Sequence, residues 1–131
     1  MRIVHLSHKA YTKISGGERQ QASIARAIAQ QPKVILMDEP TAHLDYGNQI
    51  KVLKIIKQMA EEGYGVVLTT HNPDQAFLLK GKVAFDKKGE FTFGDCNEVL
   101  IEGFLRSLYG IDLHLSYITE IDRRACVTPK L

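Results

Sequence analysis

Apolar and polar positions change period several times along the chain, and each change marks an element. After a mixed stretch from Met1 to Thr12, Ser15 stands three residues before Glu18, which is the S-x-x-E pattern of a helix capping box. Ala22, Ile24, Ala25, Ile28 and Ala29 then recur at helical spacing and predict a helix over 15–31. Pro32 closes it, because the residue before a proline is pushed out of the α region. "KVILMD" is a continuous apolar run closed by an acid, as expected of a strand buried on both faces of a parallel sheet. The turn "DEPTAHLDYGNQ" leads into a long helix from about Asn48 to Glu62, with Ile50, Leu53, Ile56 and Met59/Ala60 on one face. Gly63 is placed to end it. "YGVVLTT" follows as a second buried strand, ending at His71.

Beyond His71 the elements shorten. "PDQAFLLK" puts a proline at the first position of a short helix. "KVAFDKKGEFTFG" reads as a hairpin whose charged turn contains Gly89. "CNEVLIEGFLRSLYG" reads as one or two short helices ending at Gly110, and "IDLHLSYI" alternates as a half-buried strand does. The polar tail 119–131 is expected to be poorly ordered. Strand, helix, strand, helix in that order predicts an α/β fold, with a mostly parallel sheet and flanking helices. In such sheets chemistry gathers at the carboxyl ends of the strands, and Asp38, Glu39 and His71 all fall there.

Composition narrows the function classes. With 131 residues, 44% apolar and 24% charged, the chain has globular composition and the length of one domain or of part of a larger one. A net charge of +2 lacks the strong basic excess typical of nucleic-acid binding, so no nucleic-acid partner is expected. The longest apolar runs are far too short to cross a bilayer, and "MRIVHLSHKA" has no apolar stretch of signal-peptide length. Cys96 and Cys126 do not form a C-x-x-C pair and read as reduced thiols.

Several residues are candidates for chemistry, each with a plainer alternative. Asp38 at a strand end can hold Mg²⁺, usually through water, and Glu39 can activate a water for attack on phosphorus. An adjacent acid pair can equally be a solvated turn; the apolar strand just before it favours the functional reading. His71 can contact a phosphate or the attacking water, or simply cap a loop. Asp45 can serve the same turn chemistry or act as an N-cap. His5 and His8 are spaced to share a helix face, but no nearby Cys or acid completes a metal set. In "ISGGERQ", Ser15, Gly16, Gly17 and Glu18 open a helix whose free N–H groups and positive dipole end suit an anion. A plain capped turn fits the same four residues.

Taken together these pieces resemble the nucleotide-binding domain of ATP-binding-cassette (ABC) transporters. "ISGGERQ" is similar to the family's signature loop and "VILMDEP" to its Walker B strand, with Asp38 at the metal position and Glu39 at the catalytic-base position. "TAHLD" resembles the D-loop, ending in Asp45, and "TTH" the switch segment, with His71 as the switch histidine. Four motifs in order make the match specific from about Ser15 to His71. "GDCNEVLIEGFLRSLYGIDLHL" is similar to the C-terminal region of ATPases from iron-siderophore, haem and cobalamin importers.

The resemblance implies a P-loop NTPase-like fold, ATP and Mg²⁺ as ligands, and two ATPase subunits that sandwich ATP and drive membrane permease subunits. Ser15, Gly16, Gly17 and Glu18 would act on the nucleotide of the partner subunit, whereas Asp38, Glu39 and His71 would serve the subunit's own. It also implies a location at the cytoplasmic face of the membrane, through the permease. The family's phosphate loop reads G-x-x-x-x-G-K-[ST], and these residues contain none: the only Gly-Lys is Gly81-Lys82, followed by Val83, with Ala76 where the first glycine should stand. The expected organisation is therefore the C-terminal part of the ATPase domain over 1–118, lacking the N-terminal P-loop half, followed by the tail 119–131. Three functions remain open: a truncated importer ATPase completed by a missing N-terminal half, a non-catalytic module that docks on a complete ATPase, and a gene remnant. Without the backbone nest and lysine of a P-loop, the isolated chain is expected neither to bind ATP tightly nor to hydrolyse it.

Overall fold

The computed structural model describes residues 10–87 and 89–130. The metal pair suggested by His5 and His8 lies outside the described residues. The chain divides into two compact units, with the boundary between His71 and Asn72.

The first unit holds α1 (Gly16–Ile28), β1 (Val34–Met37), α2 (Tyr46–Glu61) and β2 (Gly65–Leu68). Strands β1 and β2 pair in parallel, with Ile35 opposite Val66 and Met37 opposite Leu68. Helix α2 is the crossover that parallel pairing requires. It buries Val52, Leu53, Ile56 and Met59. The expected stripe is thus shifted: Val52 joins it, while Ile50 is only half-buried and Ala60 is exposed. Among the core residues of this unit are also Ile14, Ile24 and Ile35.

Two helix boundaries differ from the sequence expectation. Helix α2 begins at Tyr46 rather than Asn48, because the Asp45 side chain caps it by accepting from the Asn48 N–H at 2.9 Å. Helix α1 ends at Ile28 rather than residue 31. Its last turn tightens through Gln30 N–H to Ala27 and Gln31 N–H to Ile28 carbonyls, and Gln31 takes a φ of 51°. The chain has left the helix before Pro32 can end it. Gly63, with φ 95°, stands at the position past α2 where a glycine stop was expected.

The burial of the strands also departs from expectation. Ile35 is buried, yet Val34, Leu36 and Val67 are 56%, 76% and 57% exposed. In a parallel pair, partnered residues point to the same side, so Leu36 and its partner Val67 share one face. The sequence therefore carries the apolar run of a strand covered on both sides, while only one face is covered among the described residues.

The second unit holds α3 (Pro73–Leu79), β3 (Lys82–Lys87), β4 (Glu90–Asp95), α4 (Cys96–Val99), α5 (Glu102–Tyr109), β5 (His114–Ile118) and β6 (Arg123–Val127). The expected hairpin is present as β3–β4, and Gly89 in its turn has φ 86°. Phe77, Cys96, Leu100, Leu105 and Leu113 form its core, with Val83, Phe85, Phe104, Leu115 and Cys126 packed against them.

The tail corrects the sequence expectation. Residues 123–127 form a strand paired antiparallel to β5, with Cys126 opposite Leu115. The run "RRACV" looks polar by composition, but it places Ala125 in a buried position and packs Cys126 on the core. The Cys126 N–H also donates to Asp74 at 2.9 Å, which anchors the strand to the start of α3. Asp122, with φ 48°, makes the turn into it. Urea unfolding is expected to separate the two faces of the first unit: Met59→Ala should cost about 2–5 kcal/mol by leaving a cavity. Leu36→Ser, on the open face, should change stability by less than about 0.5 kcal/mol.

Candidate functional site

The parallel register of β1 and β2 brings their carboxyl ends side by side. The Thr69 N–H continues the ladder by donating to the Met37 carbonyl at 3.0 Å. One residue past each strand, Asp38 and Thr69 meet: the Thr69 hydroxyl donates to Asp38 Oδ1 at 2.6 Å. The same hydroxyl oxygen accepts the Glu39 N–H at 2.9 Å. His71 Nε2 lies 2.6 Å from Glu39 Oε1, with side chains 87% and 42% exposed respectively. Three residues expected at strand ends, Asp38, Glu39 and His71, are thus drawn into one solvent-facing cluster, and Thr69 ties it together.

Thr69 is the residue sequence reasoning missed. Its signal was a hydroxyl at the end of a buried strand, two residues before His71. That signal becomes legible only once the register sets Leu68 against Met37 and so Thr69 beside Asp38.

Glu39 has a φ of 40°, a left-handed conformation unusual for a residue with a side chain, and it precedes Pro40. Such conformations cost on the order of 1–3 kcal/mol and cluster at functional sites. The Thr69 hydroxyl bond to the Glu39 N–H and the Glu39 carbonyl bond from Ala42 N–H at 3.0 Å both hold it. His43 in the same turn is a second case, with φ 60°.

Asp45 closes that turn as the N-cap of α2, so the plainer reading of the residue holds geometrically. Its Oδ1 accepts the Asn48 N–H at 2.9 Å and its Oδ2 accepts Asn48 Nδ2 at 2.6 Å. The backbone bond from Asn48, then the side-chain bond, hold the carboxyl below the ordinary aspartate range. A carboxyl so lowered adds stability above its unfolded pKa, and that stability is lost as pH falls through the folded value.

Ser15 through Glu18 form the capping box that the sequence predicts. The Ser15 N–H donates to Glu18 Oε2 at 2.8 Å and the Glu18 N–H donates to Ser15 Oγ at 3.3 Å. Ser15 and Gly16 are exposed and Gly17 is buried. A side chain at Gly16 would meet only Leu44 Cδ2, at 3.7 Å, an ordinary contact. The fold of this unit therefore does not require a glycine there, whereas a loop that lets a ligand approach its backbone does. A surface groove of about 510 Å³ runs beside the loop, lined by Ser15, Glu18, Gln21, Asn48 and Lys51.

Among the described residues no group of three or more His, Cys, Asp or Glu is placed to hold a metal. Asp38 offers one exposed carboxylate, with Oδ1 engaged by Thr69. That donor set suits Mg²⁺, which takes one or two carboxylates and completes its shell with water and substrate phosphates. It does not suit an ion that needs an all-protein cage.

A family model described as ABC transporter matches residues 1–42. An uncharacterized ABC transporter ATP-binding protein of Haemophilus influenzae is 46% identical over 110 residues, 83% of this chain and 42% of that protein. The molybdate import ATP-binding protein MolC of the same organism is 38% identical over 114 residues, 86% of this chain and 45% of that protein. The solved structure of an inward-facing conformation of a metal-chelate type ABC transporter matches with a TM-score of 0.89 at 34% identity, covering 98% of this chain and 53% of that one. The chain thus spans less than half the length of these two curated relatives.

Thr69→Val is expected to destabilise the first unit by about 1 kcal/mol, since it removes one hydroxyl that both donates and accepts. Thr69→Ser should restore most of that loss in urea unfolding. Equal stability of all three proteins would show that the hydroxyl does not hold the cluster.

Proposed function

The chain belongs to the ABC transporter ATPase family, and from that premise we propose that it is the hydrolytic and partner-facing part of an importer ATPase, completed by a segment that carries the phosphate loop. The observation that carries the proposal is the cluster at the ends of β1 and β2, where the acid pair and a histidine converge. Glu39 is the general base: it takes a proton from a water that attacks the terminal phosphorus of ATP in line, as the bond to the leaving diphosphate oxygen breaks. His71, in contact with Glu39 Oε1, orients that carboxylate and faces the transferred phosphate. Asp38 is the residue that would hold Mg²⁺, through water, and the Thr69 hydroxyl fixes its carboxylate. Charge neutralisation on the phosphates is the chemistry that such an ion would supply.

Ser15, Gly16, Gly17 and Glu18 form the loop offered to the ATP of a second ATPase subunit, with Asp45 beside them in the D-loop. The steric freedom at Gly16 supports this, because it leaves the loop backbone open to a phosphate. Permease subunits are the remaining partners, and the protein works at the cytoplasmic face of the membrane through them. Among the described residues no helix is long and apolar enough to cross a membrane. A metal chelate or similar solute is the proposed cargo, supported by the likeness to the metal-chelate type transporter over 98% of this chain.

The exposed face of β1 and β2 has an occupant under this proposal. Val34, Leu36 and Val67 are the surface on which the sheet-bearing half with the P-loop packs. The matched metal-chelate transporter chain extends well beyond the 53% covered here, which is room for such a half. A second reading is a non-catalytic module that docks on a complete ATPase.

Co-production with a P-loop-bearing N-terminal half separates the two. The hydrolytic reading expects Mg²⁺-dependent ATP turnover by the complex. Glu39→Gln should lower kcat by about 100-fold or more while ATP still binds, the effect of losing a general base. A complex that binds ATP without turnover, or one that Glu39→Gln leaves active, contradicts it.

A further inference from the structure

Gly17 and Gly16 look alike in sequence but differ in the fold. An ideal Cβ on Gly17 would sit 2.6 Å from Asn48 Cγ, 2.8 Å from its Oδ1 and 3.0 Å from its Cβ. Real Cβ atoms essentially never show the first two of these distances. Gly17 is therefore a slot in α1 that receives the Asn48 amide from the first turn of α2.

The amide cannot readily retreat from that slot. Its Nδ2 donates to Asp45 Oδ2 at 2.6 Å, and its own backbone N–H donates to Asp45 Oδ1 at 2.9 Å. The remaining face is engaged too, because Lys51 Nζ donates to Asn48 Oδ1 at 3.4 Å. Asp45 in turn is the cap of α2, fixed by the helix it begins.

We propose that Asn48 is a positioning residue, a joint that locks the Ser15–Gly17 loop to the Asp45 turn so that the two move as one unit. Its functional meaning rests on the proposal that both loops face a partner's nucleotide; the joint itself does not. A single joint would set the spacing of the two loops a neighbouring subunit must meet together. It also divides the work of the glycine pair: Gly17 makes room for the joint, and Gly16 leaves room for the ligand.

The reporter is the titration of the Asp45 carboxyl, followed by the carboxyl carbon resonance in the full chain. Asn48 holds that carboxyl low through its backbone bond first and its side-chain bond second, with Lys51 the nearby charge. Gly17→Ala pushes the amide out of its slot and should raise the Asp45 midpoint toward the ordinary aspartate value. Asn48→Ala should raise it as well, and the double variant should go no further than Asn48→Ala alone. Gly16→Ala alters the same loop without touching Asn48 and should leave the midpoint where it is. A midpoint unchanged in Gly17→Ala, or moved equally by Gly16→Ala, overturns the joint.

Should Gly17→Ala fail to fold, thermal melting decides. The double variant Gly17→Ala/Asn48→Ala is expected to fold and to melt above Gly17→Ala, because the truncated side chain vacates the slot. A double variant no more stable than Gly17→Ala contradicts the proposal. The titration needs neither ATP nor a partner, so loss of the ATPase reading leaves its result standing, and the reverse also holds.

Discussion

The parallel pairing of β1 with β2 is the constraint on which the rest of the first unit depends. Parallel strands need a crossover, and α2 supplies it by laying Val52, Leu53, Ile56 and Met59 into the core. The same pairing aligns two strand ends that lie about thirty residues apart in sequence, as the separation of 31 between Thr69 and Asp38 records. Once they are aligned, one hydroxyl can serve both members of the acid pair, and the histidine two residues on reaches Glu39. The left-handed backbone of Glu39 is held by the Thr69 bond that this pairing makes possible and by the Ala42 N–H on its carbonyl. The arrangement of the cluster is therefore a consequence of register, and a slip by one residue would separate Thr69 from Asp38.

Capping supplies the second level of order. Ser15 and Asp45 both begin helices, and both lie in the segments proposed to face a nucleotide. The two roles do not compete. A cap satisfies some of the free N–H groups of the first turn and leaves others, so a rigid helix start can still present backbone donors to an anion. Under the proposed function, what distinguishes the loop from an ordinary cap is Gly16, where the fold tolerates a side chain and the sequence has none.

Much of this was legible in the sequence because local signals and global pattern agreed. The S-x-x-E box, the Pro73 start of α3, the Gly63 stop and the β3–β4 hairpin all rest on short-range chemistry that a single chain displays. Asp38, Glu39 and His71 could be placed at strand ends because apolar runs close abruptly there. Thr69 and Asn48 could not be singled out, since each matters only through a contact that register or helix packing creates. The tail misled for a related reason: "RRACV" is polar by count, and its strand exists because β5 offers a partner and the core accepts Cys126. The open face of β1 and β2 is the opposite case. The sequence predicts cover on both sides, and under the proposed function that cover comes from another segment.

The central claim is that the Ser15–Glu18 loop serves a neighbour's nucleotide while Glu39 serves its own. A mixing experiment tests this most directly, with each chain assembled with a P-loop-bearing half. A Ser15→Arg protein and a Glu39→Gln protein should each be inactive alone. Mixed, they form some pairs in which one site combines an intact Glu39 with the intact loop of its partner, and ATP hydrolysis should return in part. A mixture as inactive as either variant alone would contradict the account, because it would mean that loop and base serve the same nucleotide or none.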